Sequence, residues 1–258
     1  MEQSLGVLLL QRGNRRFTLT PAGTYFYQRG KILLEEAEAL CRETARLGEV
    51  PASQLRIGYL RCYSGLELRQ AVAEFTLRHP QVTLHAAAGT HEELYDLLRT
   101  GQADLVLTDQ RRAFSDAYCN YPLLQCGCTA ELSVQNPLSA RERVTLEALK
   151  QTPCILVSSR EQQAVEDAYF RDTLGFRSSF LFADTLEEAR LLVAGNRGFL
   201  PVAEAGTLPP AEPMVRRVPI YRDGRPLRQR YCLFWPRDQA SPYAEVFAEL
   251  FRSLLPRP

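Results

Sequence analysis

Four places in the sequence carry a small hydroxyl or carboxyl residue after a strand-like run, with an acid or amide three positions later. They are Ser64 with Glu67, Thr90 with Glu93, Ser159 with Gln162, and Asp184 with Glu187. This spacing is typical of a capping box, in which two side chains satisfy the free N–H groups at the start of a helix. The same N–H groups can bind an anion. Asp184 predicts a cap alone, because its own charge takes the place of an anion. At the other three places both interpretations stay open.

The position of these residues relative to the strands predicts a ligand site. In an open α/β sheet, ligands gather beyond the carboxyl ends of the strands, so we expect a small polar or anionic effector to bind there. The candidate effector-binding residues are Ser64, Thr90, Thr108, Asp109, Ser158 and Ser159. Asp109 leaves two alternatives. Either the effector carries a donor such as an amine, since a buried carboxylate repels another one, or Asp109 only caps a turn.

Common catalytic and metal-binding motifs are absent from the sequence. GxSxG, GxGxxG, GxxxxGK[ST] and HExxH do not occur, and His79, His85 and His91 form no metal-ligand pattern. We therefore predict a protein that is not an enzyme and that has neither a cofactor nor a metal.

The seven cysteines include no CxxC pair. Cys119, Cys126 and Cys128 are close enough in sequence to form a redox or soft-metal cluster. Reduced thiols that fill small gaps in a core are the commoner case. Both interpretations stay open.

The elements that must position the candidate residues alternate along the chain. LRIGYL, VTLHAAA and ADLVLT are predicted strands separated by helices, and ELSVQ, CILVS, SFLFA and GFLPV begin a second such series. One predicted helix of that series spans about Arg160 to Leu174. This alternation is typical of a mostly parallel sheet covered by helices. The Asp223-Gly224 turn predicts a hairpin between MVRRVPIY and RYCLFW, and a final helix from about Pro242 to Leu255 must dock on one of the two halves.

The N-terminal residues differ from the rest in charge and pattern. QRGNRR followed by FTLT predicts a basic hairpin that carries Arg12, Arg15 and Arg16. A long helix should begin at Pro21, with Thr20 as its N-cap. Apolar residues on this helix follow the a/d spacing of a coiled-coil seam. The predicted dimer seam is Phe26, Leu33, Ala37, Leu40 and Leu47.

Composition limits the classes of protein that remain. The 258 residues carry 31 Lys and Arg against 30 Asp and Glu, a formal net charge of +1, so any basic surface must be local. No apolar run is long enough for a membrane span, and the N-terminus has no signal-peptide pattern. We expect a cytoplasmic protein without a membrane partner.

The string LGVLLLQRGNRRFTLTPAG, followed by a long helix, LRIGYL and two α/β halves, resembles the LysR-type transcriptional regulators over essentially the whole chain. FTLRHPQVTL, LLRTGQADLVL and LVAGNRGFLPV are further matches in the same order. The resemblance implies a winged helix-turn-helix, a linker helix that pairs subunits into a homodimer or tetramer, and an effector-binding module of two subdomains similar to a periplasmic binding protein (type 2). It also implies that Ser64 and Thr90 hold a small anionic effector, and that Arg12, Arg15 and Arg16 of the wing are the candidate DNA-contacting residues.

The resemblance sets the expected domain boundaries. Residues 1–20 would be a remnant of the winged helix-turn-helix, residues 21–50 the linker and dimerisation helix, and residues 51–258 the effector-binding module. Within that module, subdomain one would comprise about 51–130 and 236–258, and subdomain two about 131–235.

One difference from the family bears on DNA binding. Family members carry about 30 further residues before the matching point, including most of the helix-turn-helix. We therefore expect a regulator of transcription with impaired DNA binding, owing either to a misassigned start codon or to truncation. The alternative is a stand-alone small-molecule-binding protein, or a remnant that pairs or competes with a full-length regulator. An enzyme on the same fold is a weaker alternative.

Overall fold

The computed structural model describes residues 1–12, 17–48, 53–238 and 240–256. The chain divides into two compact units, Met1–Ala52 and Ser53–Pro258. The first unit consists of helix α1 (Glu2–Leu5), the antiparallel strands β1 (Leu10–Arg12) and β2 (Phe17–Leu19), and helix α2 (Pro21–Gly48). These are the hairpin and the long helix that the sequence predicts.

The start of α2 depends on two small residues. Thr20 Oγ1 accepts a hydrogen bond from Gly23 N at 2.9 Å, which confirms Thr20 as the N-cap. The same hydroxyl donates to Leu8 O at 2.7 Å. A Cβ atom on Gly23 would lie 1.9 Å from Leu9 O, so only glycine permits this approach between α2 and the segment before β1.

The predicted seam residues lie on the exposed surface of α2. Phe26, Leu33 and Leu40 are 38%, 65% and 69% exposed, and Ala37 is exposed as well. Leu47 belongs to the helix, but its side chain lies outside the described part of the chain, as does that of Arg12. Arg15 and Arg16 lie wholly outside the described residues. The predicted DNA contacts therefore stay predictions.

The second unit is an α/β fold. Its strands are β3 (Gln54–Leu60), β4 (Thr83–Gly89), β5 (Leu105–Asp109), β6 (Tyr118–Ser133), β7 (Val144–Thr145), β8 (Cys154–Val157), β9 (Phe180–Ala183), β10 (Leu200–Ala203), β11 (Val215–Arg222), β12 (Arg225–Pro226) and β13 (Arg228–Pro236). Its α-helices are α3 (Glu67–Arg78), α4 (His91–Arg99), α5 (Leu146–Leu149), α6 (Gln163–Ala168), α7 (Leu186–Ala194) and α8 (Ala244–Leu254). Instead of the single predicted helix after β8, a 3-10 turn at Arg160–Gln162 precedes α6, and a π-helical turn at Tyr169–Thr173 follows it.

The main sheet runs in the order β12-β11-β6-β13-β5-β3-β4, with β10 also pairing to β6 and β7 to β11. Strands β4, β3 and β5 are parallel, as the βαβαβ pattern predicts. The predicted hairpin partner of β11 is wrong. Asp223 and Gly224 do form a turn with positive φ values of 51° and 75°, but β11 turns back only onto the two-residue β12. The run RYCLFW instead belongs to β13, which pairs with β5 and β6 because its apolar residues fill another core.

The hydrophobic core of the second unit is divided into two regions. The first surrounds β3–β5 and includes Tyr231, Leu233 and Trp235 of β13. The second region is itself divided in two and lies under the other half of β6 and around β8–β11. Strand β13 thus packs with the first subdomain, whereas the sequence analysis placed it in the second. Helix α8 packs against α3, with Phe247 and Phe251 fully buried.

Candidate functional site

A buried ion-pair network joins the two subdomains at the carboxyl end of β5. Strand β5 ends at Asp109, which is 1% exposed. Arg111 follows two residues later, and its Nε lies 3.0 Å from Asp109 Oδ2. The Nη1 and Nη2 atoms of Arg111 donate to the two carboxylate oxygens of Glu166 in α6 at 2.8 and 3.1 Å. This is a bidentate pair, the geometry that gives an arginine–carboxylate contact its strength and direction. We call Asp109, Arg111 and Glu166 the Arg111 network.

The network keeps its charges despite being buried. Burial alone would raise the pKa of Asp109, but the Arg111 guanidinium outweighs it and, with His91, holds that pKa well below its usual range. Burial would lower the pKa of Arg111, and Asp109 and Glu166 outweigh it and raise that pKa above its ordinary value. The site therefore holds two carboxylates and one guanidinium, a net charge of −1.

Neutral polar groups complete the surroundings of Asp109. Tyr169 Oη donates to Asp109 Oδ2 at 3.2 Å, and Gln229 Nε2 donates to the same oxygen at 3.3 Å. The Arg111 guanidinium lies over the Tyr169 ring, 3.8 Å from its centroid. Tyr169 begins the π-helical turn, a distortion often found at functional sites. These contacts fix both the carboxylate and the guanidinium.

A small void lies beside the network, between the two subdomains. Its volume is about 30 Å³, which is the space of about one water molecule. Its walls include Asp109 and Arg111 from subdomain one and Glu166 and Phe170 from subdomain two. In this conformation the void has no room for a molecule much larger than water.

A second cluster bridges the subdomains around Glu93. Thr90 N donates to Glu93 Oε2 at 2.8 Å and Glu93 N donates to Thr90 Oγ1 at 3.4 Å, so the predicted capping box of α4 is confirmed. Ser159 Oγ donates to Glu93 Oε1 at 2.6 Å, and Arg61 Nη2 donates to Oε2 at 3.2 Å. Although burial raises the pKa of Glu93, the hydrogen bonds from Ser159 and Thr90 and the Arg61 charge lower it overall. Ser159 thus contacts the opposite subdomain rather than capping its own turn.

The other predicted residues have different environments. Ser64 Oγ accepts from Arg190 Nη2 at 3.2 Å, an interaction across the cleft. Ser158 is 0% exposed and its hydroxyl donates to Ser159 O at 3.0 Å. Thr108 Oγ1 donates to Asp109 Oδ1 at 3.4 Å. The structure places Thr108 and Asp109 at the Arg111 network, Thr90 and Ser159 at Glu93, and Ser64 in a third contact with Arg190.

Besides the one at Ser159, two more predicted capping boxes are wrong. Helix α3 has Leu66 at its N-cap, and Glu67 instead accepts a hydrogen bond from Thr207 N at 2.7 Å, so Ser64 is not a cap. Helix α7 is capped by Thr185, whose Oγ1 accepts from Glu188 N at 3.1 Å. The cap thus lies one residue later than Asp184, because Thr-x-x-Glu at 185–188 is the better match to the same pattern.

The sequence analysis did not identify Arg111, Glu166, Tyr169 or Gln229. Arg111 could have been predicted from the sequence. It lies two residues after Asp109, an acid at the end of a buried strand, and a buried acid requires a cation. The other three carried no such signal, because Tyr169 and Gln229 reach Asp109 from 60 and 120 residues further along the chain, and Glu166 reaches Arg111 from 55 residues further along.

The described cysteines are free thiols. Burial, together with nearby carboxylates, raises the pKa of Cys62 and of Cys126 to about 12. Burial also raises the pKa of Cys128. Since the thiolate is the reactive form, these side chains behave as core residues. Within residues 1–12, 17–48, 53–238 and 240–256, no group of three or more His, Cys, Asp or Glu side chains is placed to hold a metal ion.

Comparison with known proteins identifies the family. Residues 48–256 match the family described as LysR substrate binding domain. The chain therefore belongs to the LysR family, as a transcriptional regulator with an effector-binding domain of the two-subdomain, periplasmic-binding-protein-like type. Among the helices of the described residues, none has the length and apolar character to cross a membrane.

Individual relatives support this assignment. The chain is 25% identical over 256 residues to the hydrogen peroxide-inducible genes activator of Pectobacterium carotovorum subsp. carotovorum, covering 90% of this chain and 81% of that protein. The structure of a full-length OxyR variant from Pseudomonas aeruginosa has a TM-score of 0.62 at 21% identity, covering 97% and 86% of the two chains. HinK, a LysR family transcriptional regulator from Pseudomonas aeruginosa, has a TM-score of 0.59 at 24% identity, covering 98% and 84%. The relatives named here are regulators rather than enzymes.

Proposed function

We propose that this regulator responds to a small anionic effector, which binds between the two subdomains by replacing Glu166 on Arg111. The observation that carries the proposal is the bidentate Arg111–Glu166 pair, at 2.8 and 3.1 Å, inside the cleft. A guanidinium offers a carboxylate the same planar fork wherever that carboxylate comes from. An effector carboxylate can therefore take over the contact that Glu166 makes.

Charge supports an anion rather than a cation. With Glu166 on Arg111 the network has a net charge of −1, and with an effector carboxylate in its place the buried charge stays the same. A cationic effector would instead have to displace Arg111 from both Asp109 and Glu166, which costs more because each contact is a charged hydrogen bond. The sequence left two roles open for Asp109, as a partner of an effector amine or as a simple cap. Its ion pair with Arg111 favours neither role, because Arg111 already neutralises the charge of Asp109.

The hydroxyl residues predicted from the sequence keep a place in this proposal. Ser64 and Thr90 in subdomain one, and Ser158 and Ser159 in subdomain two, flank the same cleft. When the subdomains separate, the contacts of Ser64 with Arg190 and of Ser159 with Glu93 open. Those hydroxyls then become available to the polar part of an effector.

Pairing of two chains belongs to the proposal as well. Leu33 and Leu40 are large apolar side chains that are each about two-thirds exposed on α2, and exposed apolar patches of this kind are typical of protein interfaces. We propose that α2 forms the dimer seam. We also propose that Arg12, Arg15 and Arg16 contact DNA phosphates.

A thiol-based response to peroxide is a weaker candidate, although one relative is named as an activator of peroxide-inducible genes. A peroxide sensor needs an accessible thiolate. Burial keeps Cys62, Cys126 and Cys128 protonated at neutral pH. Their environment favours the binding proposal over thiol chemistry.

The test is a screen of small carboxylates, amino acids and aromatic acids by thermal shift, followed by calorimetric titration of three variants with the hit. Glu166→Gln should bind an anionic effector about ten-fold more tightly than the parent, because it frees Arg111 of a competing charge. Arg111→Gln should abolish binding. Arg112→Gln is the matched control, since the neighbouring Arg112 is 57% exposed, and should leave affinity unchanged.

The sign of the Glu166→Gln effect decides between effector charges. Tighter binding supports an anion on Arg111. Weaker binding would show that the carboxylate of Glu166 itself contacts the effector, which contradicts the proposal. Binding that is equal in all three variants would place the effector elsewhere.

A further inference from the structure

A second cavity lies in subdomain one, and Arg111 of the cleft network is one of the residues that line it. It has a volume of about 180 Å³ and opens beside the segment that joins β5 to β6. Its walls are largely apolar and aromatic: Tyr95 and Leu98 of α4, Val106 of β5, Tyr118 of β6 and Phe234 of β13. We call this cavity the aromatic pocket.

The size and walls of the aromatic pocket suit one six-membered ring. An apolar cavity of about 150 Å³ is enough to hold benzene in a protein, and this pocket exceeds that by about one small substituent. The rings of Tyr95 and Tyr118 lie 5.9 Å apart at an angle of 60°, so one presents an edge and the other a face. Such walls favour a planar aromatic guest.

The inner polar end of the pocket has a defined hydrogen-bonding character. Thr108 Oγ1 donates to Asp109 Oδ1 at 3.4 Å, so its lone pairs accept from His91 Nδ1, which lies 3.1 Å away. His91 Nδ1 also faces Asp109 Oδ1 at 3.6 Å, and a carboxylate only accepts. The proton of the neutral ring is therefore on Nδ1, and Nε2 is an acceptor.

His91 is 7% exposed and lines the pocket. Its Nε2 makes no hydrogen bond within the part of the chain that the structure describes. A ligand in the pocket that carries an O–H group can donate to this acceptor. Together with an aromatic wall, this defines both parts of the guest.

We propose that the aromatic pocket is a second ligand site, which binds a single-ring phenol with its hydroxyl group donating to His91 Nε2. Arg111 lines this site as well as the cleft, but the ligand proposed here differs from the anionic effector in charge and shape. Arg112 at the mouth is held by Glu92, whose two carboxylate oxygens both lie 2.7 Å from Arg112 Nη2. A neutral phenol therefore suits the site better than an aromatic acid.

The test uses para-fluorophenol and fluorine NMR on the full chain at about pH 8, where an ordinary imidazole is neutral. The parent should give a saturable shift that unlabelled phenol displaces. Ala113→Phe should abolish it, since Ala113 is exposed at the lip of the pocket and a phenyl group there fills the mouth. Ala117→Phe is the matched control, because Ala117 is also exposed in the same segment but does not line the pocket, and this variant should bind within about two-fold of the parent.

The hydroxyl contact is tested with para-fluorotoluene, in which a methyl group replaces the hydroxyl. The preference for the phenol over the toluene should fall about five-fold or more in His91→Phe, the effect of losing one hydrogen bond. His91→Leu provides the same comparison if the first variant does not fold.

Three results would overturn the proposal. One is the absence of saturable binding to the parent, and another is binding that survives Ala113→Phe at the parent's affinity. The third is a phenol-to-toluene preference that is unchanged in both His91 variants, which would show that the hydroxyl group does not contact His91. Glu166→Gln should leave phenol binding intact, so failure of the cleft proposal and failure of this one are distinguishable.

Discussion

Replacing Arg111 by Met removes the only cation of the Arg111 network and leaves two carboxylates in place. Asp109 is 1% exposed and Glu166 is 5% exposed, so neither can be solvated without local opening. Removing one partner of a buried pair costs about 3–5 kcal/mol. The hydrogen bonds from Tyr169 and Gln229 to Asp109 remain and reduce the loss of stability. We expect the free energy of unfolding to fall by about 3 kcal/mol, the lower end of that range.

Urea denaturation followed by the fluorescence of Trp235 measures this loss. Trp235 is the single tryptophan of the chain and is 6% exposed in the first core, the core in which β5 also lies. Arg112→Met is the matched control. Its guanidinium is 57% exposed and pairs with Glu92 at the surface, so its loss should cost less than about 1 kcal/mol.

The dependence on pH gives an independent check. In the parent the folded-state pKa of Asp109 lies below its unfolded value, so its stabilising contribution is present above about pH 4 and is lost only as the pH falls toward the folded pKa. In Arg111→Met burial acts without the cation and raises that pKa above the unfolded value. The variant should therefore gain stability as the pH falls from about 8 to about 5, while the parent changes little.

Two outcomes would refute this reasoning. The first is a loss of stability in Arg111→Met that equals the loss in Arg112→Met. The second is a difference in the free energy of unfolding between Arg111→Met and the parent that does not become smaller at lower pH. Either would mean that the carboxylates of the network are hydrated rather than buried with their charge.

Further expectations concern the rest of the chain. Leu33→Lys with Leu40→Lys should convert a dimer to a monomer in light scattering, because charges in a buried seam are costly; an unchanged mass would place the interface elsewhere. Thr90→Ala should lower the free energy of unfolding by about 1 kcal/mol through loss of the α4 cap, and an unchanged urea midpoint would contradict the cap seen in the structure. Gly23→Ala should destabilise the first unit, since its Cβ would meet Leu9 O at 1.9 Å; circular dichroism melting checks this. A thiol reagent at neutral pH should modify the exposed Cys41 before Cys62 and Cys126, whose buried thiols should react only in denaturant; equal rates would refute their burial.

Local sequence patterns were sufficient for most elements of the fold. Strands β3 to β5 and β8 to β10, the cap at Thr20 and the capping box at Thr90 each depend on residues a few positions apart, which is the range over which propensity and capping act. The partner of β11 and the location of β13 depend instead on which core takes up RYCLFW. That is a choice between contacts distant in sequence, and periodicity contains no information about it.

The candidate site shows the same contrast between what local sequence predicts and what only long-range packing decides. Asp109 was identified because it ends a strand, and its position at the cleft follows from sheet topology alone. Its partners Tyr169 and Gln229, and Glu166 as the partner of Arg111, come from elements that only tertiary packing brings together. The sequence therefore indicated where a charge would be buried, but not that the chain itself supplies the groups that stabilise it.

Strands β6 and β13 connect the two subdomains. Both strands pass from one core to the other at the same level of the sheet. In β6, Cys126 packs in the first core and Cys128 in the second, so Gly127 is the crossing residue. Gly127 is paired with Arg228 of β13, next to Leu227, which packs in the second core. Cys128 N donates to Leu227 O at 2.9 Å, and Glu204 N donates to Gly127 O at 2.9 Å. Because these crossings are tied together, bending one strand there bends the others. We therefore expect any opening of the cleft to be a rotation about a single axis, so that one angle would describe how far the two subdomains separate.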